Sequence, residues 1–312
     1  MKTTIIIPAR WASKRFPGKP LAQLCGQPLL EHVWKIAAAV CEKHQDCRAI
    51  VATENGNSPS GDSTPILEFC HAHDIPVIET PDTCRSGSDR VWSALQQLSR
   101  RGIMTDVVLN LQGDNPFCPP HFLEKLMTAF YKFPETQVAS AYVRLTWSEL
   151  DAFREAKKIS PFSGTSVIIN KEGKALWFSK NIIPAIRNEQ ALRQFTENFL
   201  CRHEKDKDIL SGAGIKKDSE KESEIFSPIC RHIGLYAYSV AALEFFATTP
   251  AGEYEQLEQL EQLRFLENGI PIHMEEVRYP SGYYVTSGID SPEDLHRAEK
   301  WMKGKNIFSE NY

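Results

Sequence analysis

The stretch Thr3-Thr4-Ile5-Ile6-Ile7-Pro8-Ala9-Arg10-Trp11-Ala12-Ser13-Lys14-Arg15-Phe16-Pro17-Gly18-Lys19-Pro20 decides how the rest of the chain is read. A short β-branched apolar run closed by a proline predicts a fully buried strand, and it feeds directly into a basic loop. In an open α/β sheet a ligand lies beyond the carboxyl ends of the strands, so Arg10, Arg15 and Lys19 would face a polyphosphate. Standing alone, the same loop also reads as a solvated basic turn. It is neither of two familiar phosphate loops: the three spaced glycines of the dinucleotide fingerprint and the Gly-Lys-Ser/Thr of the Walker loop are both absent.

Composition narrows the class. With 312 residues, 42% hydrophobic and 24% charged, the chain has material for one large α/β domain or two smaller ones. A formal net charge of -4 gives no general basic field, which argues against a nucleic-acid partner and leaves room for small anionic ligands at local cationic patches. The eight cysteines are scattered without a C-x-x-C pair, as expected of a reduced, cytoplasmic chain. The apolar part of the N-terminus, Ile5 to Ile7, is too short for a signal peptide, and no run approaches the roughly 20 residues that span a bilayer, so no membrane insertion is expected.

Outward from the first strand, Pro28 to His44 carries a helical stripe with Pro28 as its first residue, and Ala49 to Ala52 reads as the next buried strand. Asn55 to Thr64 reads as a surface loop, Ile66 to His73 as a short helix, and Ile75 to Ile78 as a strand that Pro76 pushes to the sheet edge. Ser86 or Ser88 would cap a helix running to about Arg101. Val107 to Gln112 predicts a buried strand ending in the turn Gly113-Asp114-Asn115-Pro116, where a carboxylate could hold a metal bound to phosphates. A helix follows from Pro119 to Tyr131, then a strand from Gln137 to Leu145. Glu149 to Ser163 reads as charged and irregular. Ser166 to Asn170 and Ala175 to Phe178 form a hairpin. The polar stretch 187–227 reads as a loop or partly disordered insert, either solvated surface or a lid. Strand character returns over Ile229 to Ser239. Helices are expected over Val240 to Ala247 and Tyr254 to Glu267, the latter with leucines three apart at core spacing, and a strand over Ile270 to Val277. Ser291 and Pro292 would open the closing helix.

Several of these stretches carry a resemblance. Ile-Pro-Ala-Arg with Arg15-Phe16-Pro17-Gly18-Lys19-Pro20 resembles the opening signature of the sugar-activating cytidylyltransferases, and within them the 3-deoxy-manno-octulosonate (Kdo) branch. Ser86-Gly87-Ser88-Asp89-Arg90 resembles that family's Ser-Gly-Thr-Asp-Arg, with Ser88 where threonine is usual. Leu111-Gln112-Gly113-Asp114-Asn115-Pro116 matches its Leu-Gln-Gly-Asp-x-Pro, with Asn115 where an acidic residue is common. Gly288-Ile289-Asp290-Ser291-Pro292-Glu293-Asp294-Leu295 is similar to its Gly-Val-Asp-Thr-Pro-Glu-Asp-Leu. Two places depart from it: Pro161 to Val167 replaces an Asn-x-x-x-Val-Lys-like stretch, and Phe178-Ser179-Lys180 stands where the family has Phe-Ser-Arg.

The resemblance implies an α/β fold with a mostly parallel nucleotide-binding sheet flanked by helices, formed by residues 1–150 and 270–312. It also implies a smaller mixed α+β sugar-binding and dimerisation region over 151–269, interrupted by the insert. The implied reaction is transfer of CMP from CTP to the anomeric hydroxyl of an acidic 3-deoxy sugar, with Mg2+ as cofactor and a homodimer as the assembly. The alternatives are another acidic sugar, such as 8-amino-Kdo or a sialic acid, or a catalytically inactive nucleotide-binding regulator. The implied catalytic set is Arg10, Arg15, Lys19, Asp114 and Asp290, with the two carboxylates holding metal. Pro8, Ala9, Arg10, Ser13, Arg15, Lys19, Ser86, Gly87, Ser88, Arg90 and Gln112 would bind nucleotide. Lys180, His232, Tyr236, Glu261 and Gln262 would bind sugar. Taken singly, Asp290 is also a capping carboxylate, His232 a satisfied strand histidine and Glu261 a solvated helix face.

Overall fold

Both sides of the first strand are covered: β1 (Thr3–Pro8) is buried at all six positions. Its side chains alternate between two cores, as the two-residue period of a strand requires, with Ile5 and Ile7 in one and Ile6 in the other. Burying each such side chain contributes roughly 1.5–3 kcal/mol. The structure is a computed structural model and describes residues 1–11, 16–54, 64–84, 86–196, 225–280, 282–283 and 288–304.

After β1 come a two-residue hairpin, β2 (Gln23–Leu24) and β3 (Gln27–Pro28), then α1 (Leu29–Lys43), β4 (Cys47–Glu54), α2 (Thr64–Ala72) and β5 (Val77–Thr80). The middle of the chain forms α3 (Gly87–Arg100), β6 (Val107–Asn110), α4 (Pro120–Lys132), β7 (Val138–Thr146), α5 (Trp147–Ile159), β8 (Ser166–Ile169) and β9 (Ala175–Ser179). Residues 189–196 are helical, here α6. The chain resumes with β10 (Phe226–Ser239), α7 (Val240–Thr248), α8 (Glu253–Glu258), α9 (Leu263–Glu267), β11 (Ile272–Glu276) and α10 (Pro292–Gly304).

The main sheet runs β11-β7-β10-β6-β1-β4-β5, with β8 and β9 attached through β10. Along that path only β10 is antiparallel to its neighbours; the other four pairings are parallel. One core packs α1, α4 and α5 on the sheet, and the other packs α3, α7 and α9. The α/β class and the mostly parallel sheet are thus as predicted. β5 is the edge strand that Pro76 foreshadowed.

Three expectations change. Glu149 to Ser163 is largely helical, not irregular: Thr146 caps α5 in a capping box with Glu149, and Trp147, Leu150 and Phe153 bury one face. Tyr254 to Glu267 is two helices, because Gln259 takes the left-handed conformation at φ 52°. Arg264 of α9 clasps Glu255 of α8 across the break, at 2.7 and 2.5 Å. Leu260 and Leu263 reach the core, but Leu257 is 72% exposed. The described start of the insert is also ordered: Glu189 accepts from Arg154 at 2.7 and 2.6 Å, and Arg193 donates to Asp151. Residues 197–224 lie outside the described residues, as do residues 55–63 of the loop predicted over Asn55 to Thr64, whose last residue instead opens α2.

Candidate active site

A cleft of about 550 Å³ opens at the carboxyl ends of β1 and β6. Two of its carboxylates, Asp114 and Asp290, come from distant segments that touch through backbone. The turn after β6 packs so tightly on β1 that a Cβ at Gly113 would stand 2.8 Å from Pro8 O. The segment before α10 then crosses that turn, with Ile289 N donating to Asp114 O at 2.8 Å. Gly288 has φ 139°, and a Cβ there would sit 3.3 Å from Asp114 O, so both glycines serve this close approach.

Lys19 joins the carboxylates. Its Nζ lies 2.6 Å from Asp114 Oδ2 and 3.2 Å from Asp290 Oδ1. Burial pushes the Asp114 carboxyl up from its ordinary value, the Lys19 ammonium opposes this, and the Asp290 charge adds to it. Ser291 is the residue that caps α10, accepting from Asp294 N at 3.2 Å, while Asp294 Oδ2 accepts from the backbone N–H of both Asp290 and Ser291.

The opposite wall is the start of α3. Ser86 is its N-cap, accepting from Asp89 N while Asp89 accepts from Ser86 N. A Cβ at Gly87 would stand 3.2 Å from the Gln112 amide, so the helix N-terminus lies directly against the end of β6. Gln112 is held in turn by Asn110, at 2.9 Å. Arg90 reaches the lining but is spent on structure: it donates to Thr80 Oγ1 at 2.6 Å and pairs with buried Glu54 at 3.5 Å.

Of the predicted residues, Pro8, Ala9, Arg10, Lys19, Ser86, Gly87, Arg90, Gln112, Asp114, Glu261 and Asp290 line this one cleft. Ser88 lies beneath it and donates to Glu261 Oε2 at 2.8 Å, which ties down Glu261, half-buried in the turn between α8 and α9 and not on a solvated helix face. Ser13 and Arg15 lie outside the described residues.

Lys180, His232, Tyr236 and Gln262 form an adjoining polar cluster. Ser140 gives its hydroxyl proton to Leu235 O at 2.8 Å, so His232 Nε2, 2.8 Å from Ser140 Oγ, is the donor of that pair. Burial, with Lys180 adding to it, lowers the His232 pKa to about 3, so the ring is neutral at ordinary pH. Tyr236 donates to Gln262 Oε1 at 2.9 Å, while Gln262 Nε2 is buried with no hydrogen-bond partner among the described residues. Burial lowers the Lys180 pKa, and the charges of Glu258 and Asp290 oppose that shift.

Sequence reasoning missed Glu258, which accepts from Ser179 Oγ and Lys180 N, each at 2.7 Å. It also missed Asn110 and Cys84; Cys84 lines the cleft two residues before the Ser-Gly motif, where proximity to that motif was the available signal.

Known proteins resemble this chain over nearly its whole length. The cytidylyltransferase family profile matches residues 4–276. The 3-deoxy-manno-octulosonate cytidylyltransferase of Maricaulis maris is 34% identical over 299 residues, covering 96% of each chain. That of Parabacteroides distasonis is 34% identical over 305 residues, covering 98% of this chain and 100% of its own. Among solved structures, a CMP:2-keto-3-deoxy-manno-octonic acid synthetase complexed with CTP superposes with a TM-score of 0.71 at 27% identity, over 98% of this chain and 100% of that one. Profile, full-length relatives and superposition agree on one family: the chain is a nucleotidyltransferase belonging to the 3-deoxy-manno-octulosonate cytidylyltransferase family.

Proposed function

We propose that this enzyme transfers CMP from CTP to the anomeric hydroxyl of Kdo, releasing pyrophosphate and supplying CMP-Kdo for lipopolysaccharide synthesis, and that it works as a homodimer. The observation that carries the reading is the convergence of Lys19, Asp114 and Asp290 beside a helix N-terminus in one cleft. The sugar oxygen forms a bond to the α-phosphorus in line as the bond to the bridging oxygen breaks. The hydroxyl proton passes to solvent water and pyrophosphate departs with the bridging oxygen. The protein's work is positioning and charge neutralisation. Lys19, Arg10 and Arg15 hold the triphosphate, and the first turn of α3 offers backbone N–H groups beside Gln112.

Mg2+ fits the donor set. Asp114 and Asp290 supply two hard carboxylates already gathered by one ammonium, and among the described residues no cluster of three His, Cys, Asp or Glu side chains forms a rival site. Mg2+ takes one or two carboxylates and leaves its other positions to phosphate and water. When bound it would neutralise phosphate charge and make the attacking hydroxyl more acidic. The sugar falls to the adjoining cluster, where the buried amide N–H group of Gln262 awaits an acceptor and Lys180 provides a cation for the carboxylate.

Pyrophosphate release with CTP tests the reading, measured with and without EDTA across Kdo, 8-amino-Kdo and N-acetylneuraminate. Release that needs Mg2+ and favours Kdo is expected. A preference for N-acetylneuraminate overturns the substrate, and release unaffected by EDTA overturns the metal.

A further inference from the structure

Between β9 and α6 the chain has no regular structure, yet its polar handles are taken by side chains from elsewhere. Ser166 Oγ donates to Asn181 O at 2.5 Å and accepts from Ile183 N at 3.1 Å. Residue 180 is held on both sides. Its N–H goes to Glu258 of α8, and its carbonyl accepts from Lys157 Nζ of α5 at 2.5 Å. Lys157 also donates to the carbonyls of Ser163 at 2.7 Å, Pro161 at 3.2 Å and Gly164 at 3.4 Å, with its ammonium 4.8 Å from the centre of the Phe153 ring. An ammonium has three donors, and all four of these partners are carbonyl oxygens. Its charge is therefore left to interact through space.

That charge sits in cationic company. Lys180 and Arg231 both depress the Lys157 pKa after burial itself, and Glu258 is the carboxylate that opposes them. Glu258 thus acts on two ammonium groups, Lys157 and Lys180, while Asp290 also acts on Lys180, and Glu149 and Tyr279 act on Arg231. A lysine presents a flexible point charge, unlike the planar fork of arginine, and loses entropy when it must meet a carboxylate in one place. Fixing the peptide that carries it removes part of that cost before the ligand arrives.

We propose that Lys157 is a positioning residue: with Glu258 it clamps the Lys180 peptide so that Lys180 meets the carboxylate of the acidic sugar in a fixed place. This rests on the functional reading above and deepens it.

The test is steady-state pyrophosphate release with Kdo and CTP for the full chain and for Lys157→Met, Lys157→Arg and Lys180→Met, with CTP binding followed by calorimetry. Lys157→Met is expected to raise KM for Kdo about tenfold with little change in kcat or in CTP affinity, and Lys157→Arg to recover most of the loss. An unchanged KM for Kdo in Lys157→Met, while Lys180→Met raises it, overturns the clamp and leaves the functional reading standing. No release with Kdo in the unaltered enzyme defeats the functional reading itself. Equal loss of CTP and Kdo binding in Lys157→Met makes Lys157 a general fold residue and also overturns the clamp. Should Lys157→Met fail to fold, Lys157→Gln, which keeps two donors, is expected to show an intermediate KM, and failure of both to fold counts against positioning.

Discussion

Asp290 and Asp114 are held by a single ammonium, so replacing either with asparagine removes charge without removing bulk. Asp114→Asn and Asp290→Asn are each expected to lose most turnover while folding normally, with kcat falling more than KM rises, since the interaction matters chiefly in the transition state. Near wild-type kcat in Asp290→Asn at saturating Mg2+ would remove it from the metal pair. His232 makes a different prediction. Between about pH 6.5 and 3 the unfolded chain takes up a proton at this ring that the folded chain refuses, so its contribution to stability is full above that range and is lost on acidification. His232→Gln should therefore flatten the dependence of the urea midpoint on pH in that window. Lys19, Asp114 and Asp290 were legible in the sequence because each stands in a short motif at a strand or helix end. Glu258 was not: its partners Ser179 and Lys180 lie 79 and 78 residues away in the chain, and only the folded arrangement joins them.

At the level of elements, β1 and β6 announced themselves through uninterrupted apolar runs, and α3 through its capping serine. α5 was hidden by charge, although Thr146-x-x-Glu149 followed by Leu150 and Phe153 was a readable helix start. Thr146→Ala should cost about 1 kcal/mol of stability, read from the urea midpoint. The break between α8 and α9 had no signal in the run Glu255-Gln256-Leu257-Glu258-Gln259-Leu260-Glu261, which contains only good helix formers. Tertiary demands override it: Leu260 and Leu263 must enter the core while Glu261 reaches Ser88. A non-glycine residue in the left-handed conformation costs roughly 1–2 kcal/mol, so Gln259→Gly is expected to raise stability by about 1 kcal/mol and leave CTP affinity unchanged. A loss of stability on that substitution would mean that the glutamine side chain itself secures the break.

Across the whole molecule, ligand binding and folding are linked, because the cleft gathers segments as far apart as Pro8 and Asp290. CTP at a hundred times its Kd should stabilise the fold by about 2.7 kcal/mol, seen as a rise in Tm. The rise should shrink in Asp114→Asn. The same long reach governs how the chain comes together. β10 lies between β6 and β7, yet it begins at Phe226, long after both have been made. During synthesis on the ribosome, β6 and β7 therefore emerge without the strand that will join them. Until residue 239 has left the exit tunnel, each presents a bare row of backbone donors and acceptors. Closure of the sheet is a late event that depends on contacts far apart in sequence, which makes folding slow and makes truncated or stalled chains prone to pair with one another.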